Sequence, residues 1–220
     1  MKTRAELKQM AKEQICGKIG ILFLVTVIIA VIAFLAGLIL GLIPVVGPLA
    51  VTFILTPAFS LSMVRIYLNL AKGQDPEVKD VFSGFDDFWT AFKTTFLVGL
   101  FTFLWSLLFY IPGIIKAISY SQAMYIVAEN KGISALEAIN RSKAMMHGHK
   151  MDYFVLGLSF IGWALLCSIT FGIAGIWVIP YMSATFTNFH NDLLPEVAEP
   201  VVEDIPVAEA HAEETTETEE

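Results

Sequence analysis

Six long apolar stretches divide the 220-residue chain, and no other feature restricts its fold as strongly. A helix needs about 17–25 residues to cross a hydrocarbon core roughly 30 Å thick. Apolar residues make up 56% of the sequence, above the roughly 45–50% that is usual in soluble domains. The sequence therefore predicts an all-α polytopic membrane protein with a six-helix transmembrane bundle. The predicted spans are residues 17–43, 48–71, 94–111, 113–128, 152–169 and 172–189.

The fourth predicted span, residues 113–128, is the most polar of the six. It contains Lys116, Ser119, Ser121 and Gln122. Hydropathy alone does not separate a spanning helix from a re-entrant or interfacial one at this composition. Both alternatives stay open for this segment.

The basic residues fall into alternate intervening segments. They precede span one, follow span two and follow span four, whereas the other turns are short and uncharged. Because cytoplasmic loops carry the excess of Lys and Arg, we expect these segments and both termini to be cytoplasmic. The predicted location is the cytoplasmic membrane of a bacterium.

Segments outside the 17–191 membrane domain have their own character. Residues 1–16 are predicted to form a cytoplasmic amphipathic helix that starts at a Thr3–Glu6 capping box. Ser134 and Glu137 form a second capping box, which predicts another such helix over residues 135–147. Both are expected at the inner interface. Residues 192–220 carry 11 acidic residues and no Lys or Arg. This tail is predicted to be disordered. It is either a solubilising spacer or a contact surface for basic cytoplasmic segments of this chain or for a protein partner.

Two spans resemble each other at an offset of fifty-eight residues. Residues 96–111 align with residues 154–169, and the alignment pairs Gly99 with Gly157 and Trp105 with Trp163. Both copies start on the same side, so the pattern predicts a parallel hairpin repeat about the membrane normal. In such a repeat Gly99 and Gly157 are expected to make corresponding close helix contacts. Shared apolar composition is the alternative explanation.

Two groups of side chains are candidate sites. Polar residues within a span commonly face the bundle interior or a solute path, which makes the fourth span a candidate for such a path or for helix packing. Basic residues near the inner leaflet attract anionic lipid headgroups. The path or packing candidates, which a helical projection places on one half of the span's circumference, are Lys116, Ser119, Tyr120 and Gln122. The headgroup candidates are Arg141, Lys143 and Lys150.

The motifs of enzymes and cofactor sites do not occur in this sequence. It has no G-x-S-x-G, P-loop or paired intramembrane carboxylates. His147, His149 and Asp152 are interpreted as a helix end whose imidazoles favour the helix dipole rather than as a metal site. We therefore expect no catalytic activity, cofactor or metal. The expected partners are membrane lipids, with no role for nucleic acid.

Three stretches carry a family resemblance: IPGIIKA, SALEAI and SFIGW. With their surroundings they resemble the bacterial family named domain of unknown function 975, from about Lys18 to Asp192. The layout is also similar to the membrane domain attached to some glycerophosphodiester phosphodiesterases, whose catalytic domain has no counterpart here. The resemblance implies a membrane location and no established activity. Our leading hypothesis is a non-enzymatic accessory, scaffold or envelope-related protein; the alternative is a small-solute transporter or lipid-handling protein.

Overall fold

A computed structural model describes residues 2–40 and 51–198 of the chain. Every regular element in those ranges is helical. A π-helical turn at Val51–Leu55 precedes α3, and a 3₁₀ helix at Val78–Phe85 precedes α4. The α-helices are α1 Arg4–Ile15, α2 Ile19–Leu40, α3 Thr56–Ala71, α4 Phe88–Leu108, α5 Tyr110–Tyr120, α6 Ala123–Glu129, α7 Ala135–Met145, α8 Lys150–Leu158, α9 Ile161–Ile169 and α10 Gly175–Ala198.

Side-chain caps start α1 and α7, as the sequence predicts. The Thr3 hydroxyl accepts from the Glu6 backbone N–H at 3.3 Å, and a Glu6 carboxylate oxygen accepts from the Thr3 N–H at 2.7 Å. Ser134 accepts from the Glu137 N–H at 3.2 Å. Each contact pairs a backbone group that the first helical turn leaves without a partner.

Four segments of the described chain are long and apolar enough to cross a membrane: Ile19–Leu40, Thr52–Ala71, Phe88–Leu107 and Lys150–Ile169. They correspond to predicted spans one, two, three and five. The predicted fourth span is interrupted after Tyr120 and becomes the short helices α5 and α6. The predicted sixth span forms most of α10, which is not among these four. The turn predicted at residues 44–48 and most of the acidic tail lie outside the described residues.

Burial separates the helices into an inner and an outer part. Buried apolar side chains concentrate in α1, α3, α6, α7 and the second half of α10. Large exposed apolar side chains concentrate in α2, α9 and the end of the α4–α5 hairpin, where Leu107 and Ile111 are 76% and 70% exposed. A soluble protein rarely exposes so large an apolar surface, so this outer part suits contact with lipid.

Helix α1 packs against α10 rather than standing apart from the other helices. Its Leu7, Ala11 and Ile15 are buried in the main core. The side-chain amides of Gln14 and Asn188 donate to each other's oxygens, both at 3.0 Å. The helix predicted to lie at the membrane interface therefore has its apolar face covered by the protein itself.

Two lysines near the start of α1 fix its position further. Lys2 lies 3.7 Å from an Asp192 carboxylate oxygen through its ammonium group and also donates its backbone N–H to that side chain at 2.6 Å. The Lys8 ammonium donates to the Ser159 carbonyl at 3.3 Å and lies 4.4 Å from the centre of the Phe160 ring. Burial against this ring, with Arg4 and Lys12 nearby, lowers the pKa of Lys8.

The 3₁₀ helix packs along α3 through a glycine. The Gly84 N–H donates to the Ser62 hydroxyl at 2.8 Å, and a Cβ at Gly84 would lie only 2.0 Å from the Ala58 carbonyl oxygen. Arg65 of α3 forms an ion pair with Asp87. The segment between α3 and α4 is therefore packed against α3 and hydrogen-bonded to it.

The two segments of the proposed repeat differ in structure. The first continues as one helix through Trp105, whereas the second is interrupted at Ser159 and Phe160. A Cβ at Gly99 or Gly157 would meet no other atom within 4 Å. The expectation that both glycines make close helix contacts is therefore wrong. A close approach occurs instead at Gly113, whose added Cβ would lie 2.9 Å from the Ser106 Cα.

Candidate functional site

Buried and partly buried polar side chains meet where α6 and α7 cross α10. They include a fully buried histidine and glutamine, a partly exposed carboxylate and several hydroxyl groups, whereas the outer part of the protein is almost wholly apolar. Such groups are costly to bury unless they are hydrogen-bonded. We call this set the polar junction; its members are Gln122, Tyr125, Glu129, Ser142, Thr187 and His190.

His190 is the centre of the polar junction and is fully buried. Its Nδ1 lies 3.0 Å from the Gln122 Oε1, and its Nε2 lies 3.1 Å from a Glu129 carboxyl oxygen. The imidazole stacks on the Tyr125 ring with centroids 4.7 Å apart and an interplanar angle of 20°. Both ring nitrogens and one ring face are therefore occupied by protein groups, and α6 is joined to α10.

Gln122 determines that the Nδ1 atom of His190 carries a proton. The Gln122 Nε2 donates to the Ser121 hydroxyl at 2.8 Å, which turns the amide oxygen toward the histidine. An amide oxygen only accepts, so Nδ1 is the donor. The other ring nitrogen, Nε2, is in hydrogen-bond contact with the Glu129 carboxyl group.

Ser142 joins α7 to the interruption between α5 and α6. Its hydroxyl accepts from the Gln122 backbone N–H at 3.2 Å and donates to the Ser119 carbonyl at 2.8 Å. Ending α5 at Tyr120 leaves backbone groups without helical partners. One buried side chain therefore satisfies both a donor and an acceptor at the break.

The four residues predicted to form a polar path do not line one passage. The Lys116 ammonium lies 4.6 Å from the centre of the Trp105 ring. Ser119 donates to the Ile115 carbonyl within its own helix at 2.8 Å. Tyr120 is buried against Phe101, at 6.3 Å between ring centroids. Gln122 alone among the four belongs to the polar junction.

The three residues predicted to contact headgroups also differ from one another. Arg141 pairs with Glu137 at 2.7 Å on the exposed face of α7. The Lys143 ammonium donates to the Asn140 side chain at 3.1 Å and lies 5.7 Å from the centre of the Tyr120 ring. Lys150 begins α8 and lines an apolar groove.

The composition of the predicted spans did not indicate that His190 and Glu129 contact each other inside the protein. Glu129 follows the fourth predicted span and His190 follows the sixth, and neither is among the candidate site residues that the sequence predicts. One sequence signal indicates that this part of α10 is buried within the protein, because polar side chains in a membrane segment usually face the bundle interior rather than lipid. That signal is the run of polar residues Ser183, Thr185, Thr187, Asn188 and His190. Within residues 2–40 and 51–198, no three metal-binding side chains are grouped closely enough to hold an ion. His149 Nδ1 lies 3.8 Å from an Asp152 carboxylate oxygen.

Comparison with known families gives one result. A family model described as a protein of unknown function, DUF975, matches residues 1–119 and 107–196. The two matches overlap and together include every α-helix except the last residues of α10. No curated protein and no solved structure matches the chain.

We predict that Ser142→Ala destabilises the protein by about 2 kcal/mol or more, because it leaves a buried N–H and a buried carbonyl unpaired. Thermal unfolding in detergent, followed by circular dichroism, measures the change. Ser168→Ala is the matched control: its hydroxyl is exposed and bonds within its own helix, so a change within about 0.5 kcal/mol is expected. Equal melting temperatures for the two variants would contradict this role for Ser142.

A second prediction concerns the histidine. His190→Phe keeps a ring on Tyr125 but removes the hydrogen-bond partner of the Gln122 amide oxygen and of the Glu129 carboxyl group, so we expect a loss of about 2 kcal/mol. Glu129→Gln should cost less, because the new amide can donate to Nε2 of a neutral imidazole. The same unfolding measurement ranks the variants. A larger loss for Glu129→Gln than for His190→Phe would show that the charged pair, rather than the hydrogen bonds, stabilises the junction.

Proposed function

We propose that this chain, which belongs to the DUF975 family of proteins of unknown function, is a non-enzymatic accessory or scaffold protein of the bacterial cytoplasmic membrane. In this proposal the apolar outer part of the helices occupies the bilayer, six segments enter it, and α1, α7 and both termini lie on the cytoplasmic side. The protein's task is to hold a fixed membrane-embedded surface for an envelope-related partner.

The closure of the polar junction is the observation that carries this proposal. His190, Gln122 and Ser142 use their polar atoms on other parts of the protein. A solute path needs polar groups that exchange partners with the passing solute. Groups that are buried and mutually bonded stabilise one arrangement of helices instead. This favours a structural role for the junction.

Two long-range ion pairs support the same-side arrangement of the termini and loops. Lys2 near the start of the chain contacts Asp192 near the end of α10. Lys18, just before α2, lies 2.7 Å from Asp75 in the segment after α3. Charged pairs of this kind belong outside the hydrocarbon core. They support an even number of crossings between residues 2 and 192.

A lipid-handling role is the second candidate, and it has an observation of its own. Two apolar grooves open on the outer part of the protein, with volumes of about 350 and 380 Å³. The first lies between the π-helical turn and α4, and the second between α5 and α8. Grooves of this character suit acyl chains rather than polar solutes.

A transport assay separates the two candidates. Purified protein is reconstituted into vesicles that contain a fluorescent phospholipid, and an impermeant quencher is added outside. A scaffold protein should leave the quenched fraction equal to that of protein-free vesicles. In a parallel experiment, vesicles with and without the protein should retain an entrapped fluorescent solute equally. Accelerated lipid exchange or solute loss would reject the scaffold proposal in favour of lipid handling or transport.

Thiol labelling tests the proposed orientation. In a background lacking Cys16 and Cys167, cysteines introduced at Thr3 and Thr215 should resist an impermeant reagent in intact cells. A cysteine at Phe171, which is 97% exposed in the turn between α9 and α10, should react as the external control. Labelling at only one of the two terminal positions would mean an odd number of crossings.

A further inference from the structure

The groove between α5 and α8 combines an apolar wall with a single charged residue. Four isoleucines of α5, from Ile111 to Ile118, form one wall, and Met151 and Phe154 of α8 lie opposite them. Lys150 is the charged residue among the lining residues that the structure describes. The groove between the π-helical turn and α4 has a similar volume but no charged lining residue. The two grooves therefore suit different occupants.

The isoleucines form a continuous apolar stripe. Positions 111, 114, 115 and 118 recur at helical spacing, which places them on one face of α5. At 1.5 Å per residue the stripe extends about 10 Å along the helix. Ile111 is 70% and Ile115 is 45% exposed. An acyl chain lying along this face would cover these side chains.

Lys150 differs from its basic neighbours in lacking a protein partner among the described residues. Arg141 is neutralised by Glu137, and the Lys143 ammonium contacts Asn140. The acidic residue nearest in sequence, Asp152, lies beside His149. A half-buried ammonium beside an apolar groove favours an anionic group at that point.

We propose that the groove between α5 and α8 binds one anionic phospholipid. Its acyl chain lies along the isoleucine stripe of α5, and its phosphate contacts the ammonium of Lys150. The site deepens the proposed function; only its assignment to the cytoplasmic leaflet rests on the proposed orientation. The bound lipid fills the space between α5 and α8 and so links these two helices. The polar junction links α6 and α10 in a comparable way.

Native mass spectrometry of the full chain in detergent tests the site with phosphatidylglycerol and phosphatidylcholine as probes. Wild-type protein should retain one phosphatidylglycerol in preference to phosphatidylcholine. Lys150→Gln should weaken phosphatidylglycerol binding about fivefold, which corresponds to about 1 kcal/mol for one basic residue. Ile115→Trp should abolish retention of both lipids by filling the groove.

Lys131→Gln is the matched control, because Lys131 is an exposed lysine in the turn between α6 and α7 and does not line the groove. It should bind as the wild type does. If Ile115→Trp lowers the melting temperature, Met151→Trp replaces it, since Met151 is 68% exposed at the opposite wall.

Unchanged phosphatidylglycerol retention in Lys150→Gln would overturn the headgroup contact. Equal retention of both lipids by the wild type would overturn selectivity for an anionic lipid. Binding in detergent depends on neither orientation nor transport, so it separates this site from the proposed function. If the lipid binds as expected but an impermeant amine reagent labels Lys150 in intact cells, the proposed orientation is rejected and the lipid site is retained.

Discussion

Hydrocarbon offers no hydrogen-bond partners, so a chain that enters it must pair its own backbone groups. This requirement explains why every regular element in residues 2–40 and 51–198 is helical. It also makes each interruption of a helix costly. The break between α5 and α6 exists because α7 supplies Ser142, which bonds to both sides of it. The bend of the fourth apolar segment therefore depends on the position of α7, and the polar junction forms around this bend.

Local patterns in the sequence predicted the features that depend on local interactions. Apolar runs identified the helices of spans one, two, three and five, and the Thr3 and Ser134 caps located the starts of α1 and α7. Those signals work because a cap needs only the next three residues. The break after Tyr120 was beyond the same reasoning, since the residue that stabilises it lies twenty-three positions from Ser119.

The candidate sites were harder to predict for a related reason. A helical projection of span four assumes a straight helix, and it grouped Lys116 and Gln122 on one half of the surface. The bend gives them different surroundings: Lys116 stacks on Trp105, and Gln122 bonds to His190. The partner of Gln122 is sixty-eight residues away. Composition also misled at Gly99 and Gly157, because matching residue types in two apolar helices do not require matching neighbours.

The pairing of Gln14 with Asn188 constrains how the chain is made. The two residues are 174 positions apart, and at a synthesis rate of about 5–20 residues per second α10 appears roughly 9–35 s after α1. During that interval the nascent chain carries the apolar face of α1 without its final cover. The ribosome-bound intermediate therefore needs a temporary host for Leu7, Ala11 and Ile15, and the membrane surface or a chaperone meets that need. Helix α1 therefore reaches its final environment only after α10 has been synthesised.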